Sequence, residues 1–281
     1  MSVRIVTDST TDITQEEATR LGITVVPLKS YIAGTEYHQG IDLFVDEFYA
    51  MLAEADELPT TSQPSPHAFE RVFRPALDAG EQILVITIAE PLSGTFQSAC
   101  IAAETCGGDI TIIDSGQTCL SQSILVYRAI QLRDAGLTAT DIVETLEREK
   151  GRIHLLAVFD TLEYLYKGGR LSRTSAFAGS LLNVKPLVTI EDSQIVPIAK
   201  CRGTAKAYEE VFARIEDAGG IDPALPVAIG YTGDREKFER FEALIRERYP
   251  DLALLVFSIG CVVGTHAGPG AVALAFFSPE A

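Results

Sequence analysis

The sequence predicts an α/β protein of two domains, and three observations carry that prediction. Segments 83–88 (ILVITI) and 110–115 (ITIIDS) are almost wholly apolar and do not alternate, as strands buried on both faces of a helix-covered parallel sheet do. Strand-like and helix-like segments alternate along the first half, which calls for right-handed crossovers and a doubly wound layer. Past residue 150 the pattern changes. Two extended runs there flank the short polar turn Glu191-Asp192-Ser193, a hairpin signature and hence a sheet with antiparallel pairs.

In chain order, a strand is expected over 4–7 and a helix over 14–21, introduced by Ser, Thr and Asp capping residues. A strand at 23–27 precedes an amphipathic helix at 43–55. Another helix, 65–79, is ended by Gly80. Strand 83–88, helix 94–105, strand 110–114 and helix 120–135 complete the parallel layer. A helix at 139–150 leads to a charged stretch, Glu147 to Lys150, where the boundary between domains 1–150 and 151–281 is placed. Strand 155–159 and a helical stretch at 161–166 follow, broken by Lys167-Gly168-Gly169. A helix is expected near 175–182, then the hairpin strands 186–190 and 194–199. Helix 205–218, strand 227–231, helix 235–248 and strands 253–258 and 271–277 finish the chain.

Composition narrows the function. With 281 residues, 47% hydrophobic and 22% charged, the chain is globular and can bury a sizeable core. It carries 39 acidic residues against 23 Lys and Arg, a net charge of −16. Nucleic acids and anionic lipid surfaces need a positive face, so neither is an expected general partner, and membrane contact is expected to be transient at most. No apolar run reaches the ~20 residues of a membrane span. The start, MSVRIVTDST, reads as a strand and not as a signal peptide. Five cysteines, odd in number and without CxxC, read as reduced thiols of a cytoplasmic protein. The four histidines never pair at metal-ligand spacing, so no metal site and no cofactor are expected.

Four stretches can carry chemistry. Asp8-Ser9-Thr10-Thr11-Asp12 follows the first strand, where α/β folds bind ligands, although helix capping explains it better. Thr60-Thr61-Ser62-Gln63-Pro64-Ser65-Pro66 offers more hydroxyls than one helix cap uses. Leu92-Ser93-Gly94-Thr95 joins a buried strand to a helix N-terminus, with Gly94 allowing close backbone approach. Two such N-termini at one sheet edge are expected to converge on one anion. Gly264-Thr265-His266-Ala267-Gly268-Pro269-Gly270 places a histidine in a segment with little side-chain bulk, just before the last strand. No GxSxG elbow, GxGxxG or Walker loop is present. The hydroxyl-rich, base-poor set is equipped to hold a ligand. Residues 164–206 hold seven Lys and Arg against two acids, a local +5 that suits an acidic partner or a phosphate.

Taken in order, the DSTTD, TSQPS, LSGT, Tyr164-to-Arg170 (YLYKGGR) and GTHAGPG stretches resemble those of the DegV family and span essentially the whole chain. The resemblance implies a two-domain α/β protein that binds a long-chain fatty acid between its domains. It implies a fatty-acid-binding subunit of bacterial fatty acid kinase, feeding phospholipid metabolism, without a catalytic centre of its own. A separate kinase subunit would turn the bound carboxylate into an acyl phosphate. Carried over by position, Thr61, Ser62 and Ser93 would hydrogen-bond the carboxylate, with His266 beside it. The basic island, through Lys167, Arg170, Arg173 and Arg202, is expected to dock the kinase subunit. Two other readings stay open. One is an acyl hydrolase with Ser93 or Thr61 as nucleophile and His266 as base. The other is a phosphate- or sugar-binding module.

Overall fold

The computed structural model describes residues 2–171 and 183–280. Arg173 and the helix expected near 175–182 lie outside the described residues. The chain starts with β1 (Val3–Asp8), α1 (Gln15–Leu21) and β2 (Ile23–Val26). α1 begins where the Thr14 hydroxyl accepts from Glu17 N, and it ends at Gly22, whose φ of 64° few other residues tolerate. A small antiparallel sheet follows, β3 (Lys29–Ile32), β4 (Thr35–His38) and β5 (Thr60–Ser62), with α2 (Val45–Glu54) between its last two strands. Next come α3 (Pro66–Asp78), β6 (Gln82–Thr87), α4 (Thr95–Cys106) and β7 (Ile110–Asp114).

Strands β2-β1-β6-β7, in that order, form an all-parallel sheet, as the unbroken apolar runs require. One face packs on α3 and α4 through Phe69, Phe73 and Ala99. The other face packs on α5 (Cys119–Asp134) and α6 (Ala139–Glu149). α5 is buried along most of its length, because it lies between this sheet and a second one.

The second sheet gathers β8 (Ile153–Val158), β9 (Val184–Glu191), β10 (Gln194–Arg202), β11 (Val227–Tyr231), β12 (Leu254–Ser258) and β13 (Val272–Phe277). Its order is β10-β9-β8-β13-β11-β12, antiparallel except for the β11–β12 pair. The expected hairpin is β9–β10, turning at Asp192 and Ser193 with φ of 48° and 61°. Helices α8 (Thr204–Asp217) and α9 (Arg235–Arg248) cover the outer face. The short α7 (Glu163–Lys167) and α10 (Cys261–Ala267) pack on each other, and α10 also packs on α2 and β3. No helix among the described residues is long and apolar enough to cross a membrane.

Two local features go beyond the expected elements. The β3–β4 hairpin and β5 were not expected; their strands are only three or four residues long, too short for an alternation signal. Residues 264–267 of the GTHAGPG stretch belong to the helix α10, where no element was expected. Its glycines serve packing: a Cβ on Gly264 would lie 2.7 Å from the Phe48 and Tyr49 rings, and one on Gly268 would overlap the Tyr164 ring.

Candidate functional site

In the parallel sheet the chain leaves β1 toward β2 and leaves β6 toward β7, in opposite directions. The carboxyl ends of β1 and β6 therefore frame the crevice where such sheets bind ligands. Asp8 closes its floor. One carboxylate oxygen accepts from Ile88 N at 2.8 Å and Gln122 Nε2 at 3.1 Å. The other accepts from Thr10 N at 3.0 Å and from the Thr10 hydroxyl. Burial pushes the Asp8 pKa up, and these four donors pull against it. Ser9 Oγ accepts from Leu28 N at 2.9 Å. Asp12 Oδ1 accepts from Gly260 N at 2.8 Å and Gln39 Nε2 at 2.7 Å, and burial raises its pKa to about 7. The first motif is thus spent on tying loops together, the capping-type alternative; of its members only Thr10 reaches the cavity wall.

Above this floor, between the two sheets, lies a cavity with about 890 Å³ of empty space, the open solvent at its mouth included. Its walls are largely apolar, including Leu155, Phe159, Val188, Ile195, Ile259 and Val263. Polar groups gather where Thr61, Ser93, Arg170 and His266 line it.

Thr61 arrives on β5, where successive side chains alternate. Thr61 consequently lines the cavity and Ser62 does not. Thr61 Oγ1 lies 2.8 Å from His266 Nε2. Ser93 stands just before α4, whose N-cap Gly94 makes no side-chain cap bond, and Ser93 Oγ lies 2.9 Å from Thr95 Oγ1. Of the two helix N-termini expected to converge, only that of α4 reaches the cavity. The other belongs to α3, where the Ser65 hydroxyl already caps Ala68 N.

His266 sits on α10 with its Nδ1 buried and without a hydrogen-bond partner among the described residues. Burial, with the nearby Arg170 guanidinium, pushes its pKa down to about 4, so the ring is neutral at pH 7. Gly168, after α7, packs against that ring: a Cβ there would overlap His266 Nδ1. The two glycine-bearing motifs thus fit together as one wall. Arg170 extends the wall, donating to Gly168 O at 2.8 Å and Leu92 O at 3.3 Å.

The docking set is divided by the structure. Arg170 lines the cavity, because the turn after Gly168 folds it inward, and burial lowers its pKa. Lys167 is exposed and ion-paired with Glu163 at 2.5 Å, and Arg202 is exposed at the end of β10. Sequence reasoning missed Arg170 as a cavity residue, and also Thr118 and Cys119 on the wall. Its position beside Lys167-Gly168-Gly169 gave no hint of direction; the close approach of Gly168 to His266 sets it.

A model of the DegV family of uncharacterised proteins matches residues 2–279. A DegV domain-containing protein from Caldanaerobacter subterraneus is 37% identical over 275 residues, covering 98% of each chain. A fatty-acid-binding DegV family protein from Thermus thermophilus has a similar structure, with a TM-score of 0.92, 32% identity and coverage of 99% of this chain and all of that one. DegV from Bacillus subtilis, a fatty acid binding protein, gives a TM-score of 0.87 at 31% identity, with coverage of 99% of this chain and all of its own. By motif, sequence and fold together, the chain belongs to the DegV family.

Proposed function

We propose that the protein binds one long-chain fatty acid in this cavity and presents its carboxylate, at the Thr61–Ser93–His266 end, to a separate kinase subunit that forms an acyl phosphate. One observation carries the binding reading: a cavity between the sheets with largely apolar walls, on which Thr61, Ser93, Arg170 and His266 stand together. The fatty-acid-binding relatives from Thermus thermophilus and Bacillus subtilis support it. Burying the tail gains ~0.8 kcal/mol per CH₂, part of which is lost in ordering the chain. The tail thus supplies affinity and the head-group donors supply direction.

The donors have a consistent arrangement. His266 Nδ1 has no partner among the described residues, so the less costly tautomer leaves it bare and puts the proton on Nε2. Nε2–H then donates to Thr61 Oγ1, and the Thr61 hydroxyl hydrogen is free for the carboxylate. Ser93 adds a second hydroxyl and the N-terminus of α4. The Arg170 guanidinium contributes positive potential while held by two backbone carbonyls. Ser62, on the opposite side of β5, acts in this reading by holding the strand in place. The two sheets, on either side of residue 150, are its two domains. Lys167, Arg173 and Arg202 meet the acidic face of the kinase subunit.

The hydrolase alternative has less support. An acyl-transfer histidine is oriented by a hydrogen bond to its second nitrogen, and His266 Nδ1 has none among the described residues. Ser93 Oγ is engaged with Thr95.

Mass spectrometry of an organic extract of the purified protein tests the reading. The expected result is one long-chain fatty acid per chain, reduced in Ser93→Ala. Loss of one charge-assisted hydrogen bond, ~1.5–3 kcal/mol, lowers affinity by about tenfold or more. A protein that carries no lipid and takes up none when supplied would overturn it.

A further inference from the structure

The contact between Thr61 and His266 joins two elements that are marginal alone. Thr61 lies on β5, three residues long and paired with β3. His266 lies on α10, seven residues long, where Val262, Val263, Gly264 and Thr265 follow one another. All four have low helix propensity, and so short a helix is not stable by itself. Its N-cap is Gly260, which makes no side-chain cap bond.

The cap comes from elsewhere in the chain. Asp12 Oδ1 accepts from Gly260 N at 2.8 Å, and Gln39 Oε1 accepts from Val262 N at 2.8 Å. Two amides at the start of the helix, which have no partner within it, are met in this way. Gln39 Nε2 in turn donates to Asp12 Oδ1 at 2.7 Å and to Ser9 O at 2.8 Å, so the two capping side chains fix each other. A Cβ on Gly260 would lie 2.5 Å from Gln39 Nε2 and 3.0 Å from Asp12 Oδ1; glycine there lets both reach the backbone. The same frame holds the strand of Thr61. Ser9 Oγ accepts from Leu28 N, and Gln39 N donates to Leu28 O at 3.3 Å, just before β3. β3 then pairs with β5, Ser30 opposite Thr61. Both members of the Thr61–His266 pair therefore depend on the Ser9–Asp12 segment and Gln39.

We propose that Asp12 and Gln39 are positioning residues for the head-group site: they cap α10 from outside and so set where His266 Nε2 meets Thr61. Neither residue lines the cavity, and both act through α10. The proposal rests on the fatty-acid reading above.

The test uses the full chain stripped of lipid and palmitic acid labelled at its carboxyl carbon. Calorimetry gives the affinity, NMR gives the bound carboxyl resonance, and the ring-nitrogen resonances of His266 are read before lipid is added. Asp12→Asn keeps an oxygen for Gly260 N and Gln39 Nε2 and is expected to retain all three readouts. Asp12→Ala removes the cap. It should weaken palmitic acid about tenfold, move the carboxyl resonance as His266→Gln does, and alter the His266 Nε2 signal. Gln39→Met frees Val262 N while Asp12 still holds Gly260 N. It should give smaller changes of the same sign, and it carries the test where Asp12→Ala does not fold. Ile215→Ala, in the core outside the second sheet, is the control for lost stability alone: it should lower the melting temperature and leave the three readouts unchanged. Wild-type readouts in folded Asp12→Ala, or in Gln39→Met, would overturn the positioning role. An Asp12→Asn that fails as Asp12→Ala does would overturn it too. A wild type that takes up no palmitic acid would overturn the fatty-acid reading, and the His266 ring signals would then decide the positioning role by themselves.

Discussion

His266 is neutral because of where it is, and this has a measurable sign. Its pKa falls from 6.5 to about 4 on folding, through burial and then the Arg170 charge. Between pH 6.5 and 4 the unfolded chain takes up the proton first, so stability falls as pH falls through that window. Asp12, raised from 3.8 to about 7, acts in the opposite sense: the folded state holds its proton more tightly, and stability rises as pH falls from about 7 to 3.8. The two overlap, so the histidine is isolated by difference. In lipid-free protein, the melting-temperature gap between wild type and His266→Gln should narrow steadily from pH 6.5 toward 4. A gap that stays constant would mean the ring titrates normally and is open to water.

At the scale of elements, the site depends on two short helices meeting through glycine. α7 ends at Gly168 against His266, and α10 ends at Gly268 against Tyr164. Gly168→Ala should destabilise the fold by ~1–3 kcal/mol through overpacking and weaken fatty-acid binding by displacing the ring. Gly169, at φ 72° with no atom near its missing Cβ, is a control: Ala there should cost ~1 kcal/mol of backbone strain and leave affinity alone. Denaturation curves and titrations of the two variants separate these effects; equal affinities in both would remove Gly168 from the site. The same elements show what was legible in the sequence. Strands β1, β6 and β7 and the β9–β10 hairpin were legible because burial on two faces and a polar turn leave direct marks on residue type. Ser93 and His266 were legible as candidates from their glycine-rich surroundings. β5 was not, since three residues show no period, and the inward turn of Arg170 was not, since a contact between α7 and α10 decides it. The helical state of 261–267 was hidden by glycines that serve interhelical packing against their own low helix propensity.

For the whole molecule, charge is divided as well as fold. The chain carries −16, while residues 164–206 carry +5. Of the basic side chains, Arg170 turns into the cavity and Lys167 is partly matched by Glu163. Lys167→Glu combined with Arg202→Glu should slow kinase-dependent phosphorylation steeply at low salt. The effect should fade as the Debye length shrinks below ~10 Å above 0.1 M. Bound lipid should be unaffected. Arg170→Gln should do the reverse, lowering bound lipid with a weak salt dependence. A phosphorylation rate untouched by the double variant at low salt would make the island a solvated face.

The central claim is that a carboxylate sits at Thr61, Ser93 and His266 with its tail along the cavity. NMR of a fatty acid isotopically labelled at its carboxyl carbon tests this most directly. The bound acid should give one carboxyl resonance distinct from the free acid, shifted by Ser93→Ala and by His266→Gln and unmoved by Lys167→Glu. A bound resonance indifferent to both site variants would contradict the claim.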